Sequence, residues 1–197
     1  SLLPRLVALP PVGVKAALHR LLHSRPPPVK PQELIVALHK LSPTKELTMK
    51  KVAEAIDVCF NDKSIFSTQV LAVVLQQLLD QNPLPTLYMR TVLLSLKLSP
   101  NLTDFVMDVI LQRLISKQVW LLPTLWEGFI KCCRQTLPRS LRVLVQLPRN
   151  RLEDAISRCP ELAPPLENYY RQQQAQGFKV SAQALAAISS ANNAPQQ

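Results

Sequence analysis

The sequence predicts an all-α fold, namely an irregular HEAT-like helical array (α-solenoid) of about nine to eleven helices. Apolar residues recur at the 3.6-residue helical period in successive segments. Most of the 18 prolines lie between these segments, where proline ends one helix or occupies the first turn of the next. The three glycines are too few for a fold rich in β-hairpins. Because no strict sequence period is visible, we expect irregular helical pairs.

Composition excludes several functional classes. Hydrophobic residues make up 47% of the chain, which excludes general disorder, and no apolar run reaches the roughly 18 residues that cross a bilayer. No glycine-rich loop is available to cradle a phosphate group. We expect one helical scaffold domain at residues 1–176 and a polar tail at 177–197 with room for a short helix at 182–188. We expect no cofactor, metal, membrane contact or small-molecule substrate.

Periodic segments and the breaks between them place the helices. Prolines 26–28 end the first long helix because they cannot donate the required N–H groups, and Pro31 opens the next helix. Ser67 or Thr68 should cap a later helix, and Pro123 should open another. The expected helices span residues 12–23, 31–41, 45–60, 67–81, 86–98, 102–120, 123–135, 137–146 and 149–158, with a further short turn or helix within 159–174.

The stretch at residues 67–134 holds the most apolar helices and is expected to lie at the centre of the array. A helix that is apolar around most of its circumference is usually buried on several sides. This stretch should therefore be covered by the segments before and after it. In the helix that Pro123 opens, the expected buried stripe is Leu125, Trp126, Phe129, Ile130 and Cys133.

The cysteines and histidines form no recognisable metal or catalytic pattern. The four cysteines, Cys59, Cys132, Cys133 and Cys159, include no C-x-x-C pair and are interpreted as buried, reduced thiols. His19 and His23 are four residues apart on one helix, but they lack the glutamate of an H-E-x-x-H site, and no carboxylate lies nearby. We interpret them as surface histidines. No nucleophile setting is recognisable either, so the chain is not expected to be an enzyme.

The net charge of +10 is unevenly distributed. Lys and Arg outnumber the acids ten to five over residues 1–63 and nine to four over 131–197, whereas the two classes are equal at four each in between. We call the cations between residues 131 and 158 the basic ridge; they are Lys131, Arg134, Arg139, Arg142, Arg149, Arg151 and Arg158. The ridge fits a solvated face, a surface for an acidic protein or an RNA site. RNA binding usually adds exposed aromatic residues, which make up only 5% here.

Two tryptophans flank a proline-bearing turn ahead of this ridge. Core packing is the default expectation for Trp120 and Trp126, but tryptophan at a turn between helices is also a common interface anchor. The candidate partner-binding residues are therefore Trp120, Trp126, Lys131, Arg134, Arg139, Arg142 and Arg149.

Several non-periodic details carry a family resemblance. The segments PQELIVALHKL, STQVLAVVLQQLLDQNPLPTLYMRTVLLSL, FVMDVILQRLISKQVW, LWEGFIKCCRQTLPRSLRVLVQLP and RCPELAPPL together resemble the C-terminal domain of the symplekin family. The resemblance covers roughly residues 2–168 and is densest over residues 66–148. Its most specific elements are NPLP, KQVW, WEGFIKCC and CPEL.

This resemblance implies a nuclear, non-enzymatic scaffold for pre-mRNA 3′-end processing. Symplekin-like domains join the metallo-β-lactamase endonuclease of the cleavage and polyadenylation machinery to its inactive paralogue, mainly through their C-terminal regions. The resemblance implies no catalytic residue, and it provides no short binding motif that could be transferred to this sequence. The alternative is an RNA-binding helical array that uses the basic ridge at 131–158.

Overall fold

The computed structural model describes residues 2–177 and Ile188, and within these residues all regular secondary structure is helical. The α-helices are α1 (Leu3–Ala8), α2 (Pro11–His23), α3 (Pro31–His39), α4 (Met49–Phe60), α5 (Thr68–Leu79), α6 (Tyr88–Leu98), α7 (Thr103–Phe105), α8 (Gln112–Ser116), α9 (Pro123–Gln135), α10 (Leu141–Leu144), α11 (Arg149–Arg158) and α12 (Ala163–Ala175). Short 3-10 turns lie at Pro100–Leu102, Val119–Leu121 and Pro160–Leu162, and a π-helical segment lies at Val106–Leu111. The all-α prediction is confirmed, and its solenoid arrangement stays a prediction.

Several helices begin at the residues that the sequence indicates. Pro31 and Pro123 each occupy the first position of a helix, where the missing N–H has no intrahelical partner to lose. The Ser67 hydroxyl accepts a hydrogen bond from the Val70 N–H and caps α5. The Thr68 hydroxyl instead lies 2.6 Å from that of Ser99. Of the two candidate caps, Ser67 is therefore the one used.

Among the longer predicted helices, two differ most from expectation, because each is four residues shorter at one end. The helix predicted from residue 45 begins at Met49, because Thr44 and Leu47 close a turn and Thr48 then caps α4. The helix predicted over 102–120 includes the π segment and ends at Ser116. Its α-helical path stops because Gln118 adopts a left-handed conformation with φ of 54°.

The segment predicted as a helix at 137–146 is mostly turn, and only α10 is α-helical there. Pro138 has no N–H to continue a helix. The Leu141 N–H donates to the Pro138 carbonyl at 3.1 Å. This bond joins residues three apart, as in a turn, whereas an α-helix joins residues four apart. The buried Ser140 hydroxyl donates to the Cys133 carbonyl at 2.5 Å and so fixes this turn against the end of α9.

The chain divides into two compact units, residues 1–106 and residues 107–197. The division falls inside the stretch at 67–134 that was expected to be the centre of one array. The expectation of a single domain at 1–176 stays a prediction. In the first unit, α4 packs against α1, α2, α3 and α6, while α3 also packs against α5. The side chains at the centre of this unit are fully buried and include Leu18, Ile35, Leu38, Ile56, Leu75 and Tyr88.

In the second unit, α9 contributes six buried residues to the core. This helix packs against the 3-10 turn at Val119–Leu121, α11 and α12 pack against the turn at Pro160–Leu162, and α10 packs against α12. The predicted stripe of α9 is confirmed, because all five of its residues are buried; they are Leu125, Trp126, Phe129, Ile130 and Cys133.

The expected tail lies almost wholly outside the described residues. Of the short helix expected at 182–188, only Ile188 is described, and it is helical and buried. No helix among the described residues combines the length and apolarity needed to cross a membrane.

Candidate interaction surface

The turn before α9 exposes apolar side chains. We call residues 120–126 the tryptophan turn. Leu121 is 64% exposed and Leu122 is 40% exposed, and both follow the half-buried Trp120. Because Gln118 reverses the backbone just ahead of them, these side chains lie at a corner between helices. Large apolar side chains placed next to one another on a surface are typical of a contact site.

Trp126, the last residue of the tryptophan turn, lies in the core. It is 2% exposed, stacks on Phe129 with ring centroids 5.3 Å apart and meets Trp120 edge to face at 6.5 Å. Its indole Nε1 donates a hydrogen bond of 2.6 Å to Asp154 Oδ2. The expectation of core packing is thus confirmed for Trp126. Its contacts hold the Trp120 ring in place.

Asp154 connects α9 to α11. Besides the bond from Trp126, its two carboxylate oxygens accept bonds of 3.1 and 3.0 Å from Arg158 Nε. Burial acts to raise the pKa of this carboxyl, but the hydrogen bonds from Trp126 and Arg158 and the charges of Arg158 and Arg151 outweigh it, so the pKa is lowered. Asp154 therefore remains ionised. No sequence pattern singles it out, because its partner Trp126 is 28 residues away.

Arg151 joins the basic ridge to the tryptophan turn. Its guanidinium carbon lies 5.9 Å from the centre of the Trp120 ring, within range of a cation–π contact. The ring of Trp120 thus packs nearly perpendicular to that of Trp126 and has Arg151 over it. This corner combines exposed apolar side chains with a positive charge.

Most arginines of the basic ridge pair with carboxylates of the second unit. The pairs are Arg134 with Glu161, Arg142 with Asp108 at 3.0 Å, Arg149 with Glu153 at 2.8 Å and Arg158 with Asp154. Lys131 and Arg139 are exposed. The charge of the ridge is thus partly neutralised by neighbouring carboxylates. The sequence reveals such ion pairs only within one helix, as for Arg149 with Glu153.

The cysteines are free thiols. Burial raises the pKa of Cys59 and of Cys132 to about 12, and it raises the pKa of Cys133 as well, with a smaller contribution from Cys132 and Cys159. The prediction of buried, reduced thiols is confirmed at these three positions. Cys159 is half-buried.

The expectation that no carboxylate lies near the histidine pair was wrong. His19 and His23 are both exposed, as expected, but Asp62 Oδ2 lies 2.5 Å from His23 Nε2. The two residues are 39 positions apart, so only the packing of α2 against α4 brings them together.

The chain matches a known protein family. A family model described as "Symplekin tight junction protein C terminal" matches residues 1–159. The matched range includes both tryptophans and the whole basic ridge. No solved structure matches the chain.

Proposed function

The chain belongs to the symplekin C-terminal family, and from this membership we propose that it is a non-catalytic nuclear scaffold that binds the C-terminal regions of the pre-mRNA 3′-end endonuclease, a metallo-β-lactamase protein, and of its inactive paralogue. The family supports a scaffold role in mRNA 3′-end processing. The observation that carries the proposal is the family match over residues 1–159. The mechanism is positional, because subunits held on one scaffold have a raised effective concentration for each other.

The tryptophan turn is the contact surface that we assign to this function. Leu121 and Leu122 offer exposed apolar area, and the ring of Trp120 provides a rigid base beside them. Arg151 places a positive charge next to this area. An apolar partner segment with acidic flanking residues would complement both features. Trp126 has a supporting role, since its own side chain is buried.

A protein partner fits the basic ridge better than RNA does. Four of its arginines already share their charge with carboxylates, which lowers the attraction for a phosphate backbone. Base stacking requires accessible aromatic faces. Trp126 is buried, and Arg151 covers one face of Trp120.

A pull-down with the full chain tests the proposed function. We expect the chain to retain the C-terminal regions of the endonuclease and of its paralogue at about 150 mM salt, where exposed charges more than about 8 Å apart are largely screened. Circular dichroism confirms that the chain is helical beforehand. Failure of a folded chain to retain either region contradicts the proposal.

A pair of variants tests the surface separately. Replacing both Leu121 and Leu122 by Ser should weaken the complex about tenfold or more, because these two side chains supply the exposed apolar area of this surface. Val12→Ser is the matched control, because Val12 is an even more exposed apolar residue, at 82%, in the first unit. Full binding by the double variant would remove the tryptophan turn from the interface while leaving the scaffold function intact.

A further inference from the structure

Two histidines and one carboxylate come together on the first unit. His19 and His23 lie one turn apart on α2 with ring centroids 4.2 Å apart. Asp62 follows the end of α4, and its Oδ2 lies 2.5 Å from His23 Nε2. One ligand atom from each of the three residues can be chosen so that all lie within 4.8 Å of one another. No other group of this kind occurs among residues 2–177.

Buried neighbours fix the backbone positions of all three residues. Leu18 and Leu22 are buried and anchor the last turns of α2, which packs against α4. The Asp62 N–H donates to the Cys59 carbonyl, and the Asp62 carbonyl accepts from the Phe66 N–H. These bonds hold Asp62 at the end of α4 and leave its side chain directed at α2.

The Asp62 carboxylate also has a second partner that orients it. The Ser64 hydroxyl donates a bond of 2.6 Å to Oδ1, so Oδ2 is the oxygen directed at His23. Outer hydrogen bonds of this type align ligand side chains in metal sites. Asp62 has this arrangement, because the Ser64 hydroxyl bonds one of its carboxylate oxygens and the His23 imidazole lies at the other.

We propose that His19, His23 and Asp62 bind a divalent transition-metal ion, with Zn²⁺ as the best fit. Imidazole nitrogen and carboxylate oxygen are ordinary Zn²⁺ ligands, and histidines four residues apart on a helix can bind one ion together. The bound ion lies between His23 and Asp62 and replaces the hydrogen bond that joins these two side chains when no metal is bound. The ligand atoms then stand about 3.3 Å apart around an ion bound at about 2 Å. Both histidines are exposed, so their side chains can rotate to accommodate this change.

Three protein ligands leave one tetrahedral position open. A cleft of about 280 Å³ adjoins the cluster, lined by Lys15, Leu18, His19, Leu22, Val58, Asn61 and Asp62. It has room for a water molecule or for a ligand from outside the chain. The site therefore differs from a closed structural zinc site, and it is independent of the tryptophan turn and of the proposed scaffold function.

Titration of the full, metal-free chain with Zn²⁺ under reducing conditions tests the proposal. We expect saturable binding of one ion per chain by calorimetry, and visible absorption bands of a bound metal when Co²⁺ replaces Zn²⁺. His19→Gln, His23→Gln and Asp62→Asn should each weaken Zn²⁺ binding by about tenfold or more. Asp80→Asn is the matched control, because Asp80 also follows the end of a helix in the first unit and should bind like the parent.

A further variant guards against loss of folding. Ser64→Ala keeps all three ligands but removes the bond that orients Asp62, so binding should weaken by up to about tenfold with unchanged helical circular dichroism. Absence of saturable Zn²⁺ binding by the parent chain would overturn the proposal. So would equal affinities for the parent and all folded ligand variants, because the ion would then lie elsewhere, for example at Cys159.

Discussion

At the scale of single residues, Asp154 links the core beneath Trp120 to the basic ridge. It accepts hydrogen bonds from the indole of Trp126 on α9 and from the guanidinium of Arg158 on its own helix. Hydrogen bonds to a charged group contribute about 1.5–3 kcal/mol, more than those between neutral groups. Asp154 thus stabilises the position of Trp126, against which Trp120 packs.

Replacing Asp154 by Asn should destabilise the chain by about 1–2 kcal/mol, because the amide oxygen still accepts a bond from Trp126 but the charge is lost. Urea unfolding followed by circular dichroism measures this. The matched control is Glu153→Gln, which removes a carboxylate from an exposed pair with Arg149 and should cost about 0.5 kcal/mol or less. Equal effects of the two substitutions would show that the charge of Asp154 contributes no more than that of an exposed helix pair.

The same residue gives a pH dependence with a definite sign. Its pKa in the folded chain is lowered, so on acidification the unfolded chain takes up the proton first. The stabilisation by Asp154 is therefore complete above the unfolded pKa of about 3.9 and is lost as the pH falls through the lower folded value. The stability difference between the parent and Asp154→Asn should narrow over that range.

At the scale of elements, Gln118 decides where a helix ends. It is the residue after the C-cap of α8, and its φ of 54° lies in the left-handed region that usually requires glycine. A side chain with Cβ pays about 1–2 kcal/mol for this conformation. The resulting reversal brings Trp120 and Leu121 to the corner before α9.

Gln118→Gly should raise the stability of the chain by about 0.5–1 kcal/mol, since relief of the left-handed strain exceeds the added freedom of the unfolded chain. Thermal or urea unfolding measures the change. Gln118→Ala keeps a Cβ and should leave stability nearly unchanged. A gain of the same size with Ala would mean that the strain is not at the backbone.

Elements were predictable where a local signal defines their ends. Pro123 opens α9, Ser67 caps α5, and α11 spans residues 149–158 as its apolar period indicates. The end of α8 was not predictable, because glutamine gives no sign of a left-handed residue. The predicted start of α4 was wrong, because the propensity of Lys45 and Glu46 for helix is overridden by the turn that Thr44 and Leu47 close.

The site was less predictable than the helices. The sequence identified Trp120, Trp126 and the basic ridge as candidates, but not the carboxylates that pair with them. Arg142 with Asp108, and Trp126 with Asp154, join residues that are distant in the sequence, so only the packed structure brings them into contact. The exposure of Leu121 and Leu122 also depends on that packing, because their sequence context resembles that of buried leucines.

At the scale of the whole molecule, the net charge of +10 should give weak RNA binding that has no dedicated site. We expect affinity for single-stranded RNA to fall steeply with salt. The test compares the double variant Arg139→Glu, Arg149→Glu with the control Lys45→Glu, Lys63→Glu. Both have a net charge of +6, since each substitution lowers the net charge by two units. Fluorescence anisotropy should show equal weakening to within about twofold. A far larger loss from the first variant would instead assign RNA binding to the basic ridge.

The thiols also give the chain a chemical handle. A thiol reacts with alkylating reagents as its thiolate, and at neutral pH the raised pKa of Cys59, Cys132 and Cys133 leaves almost none of that form. Burial shields the same three side chains from reagents. Cys159, half-buried at the end of α11, is left as the one accessible attachment point among the four. A fluorophore or cross-linker can thus be placed beside the helix that carries Asp154, and it would report on partner docking without any engineered cysteine.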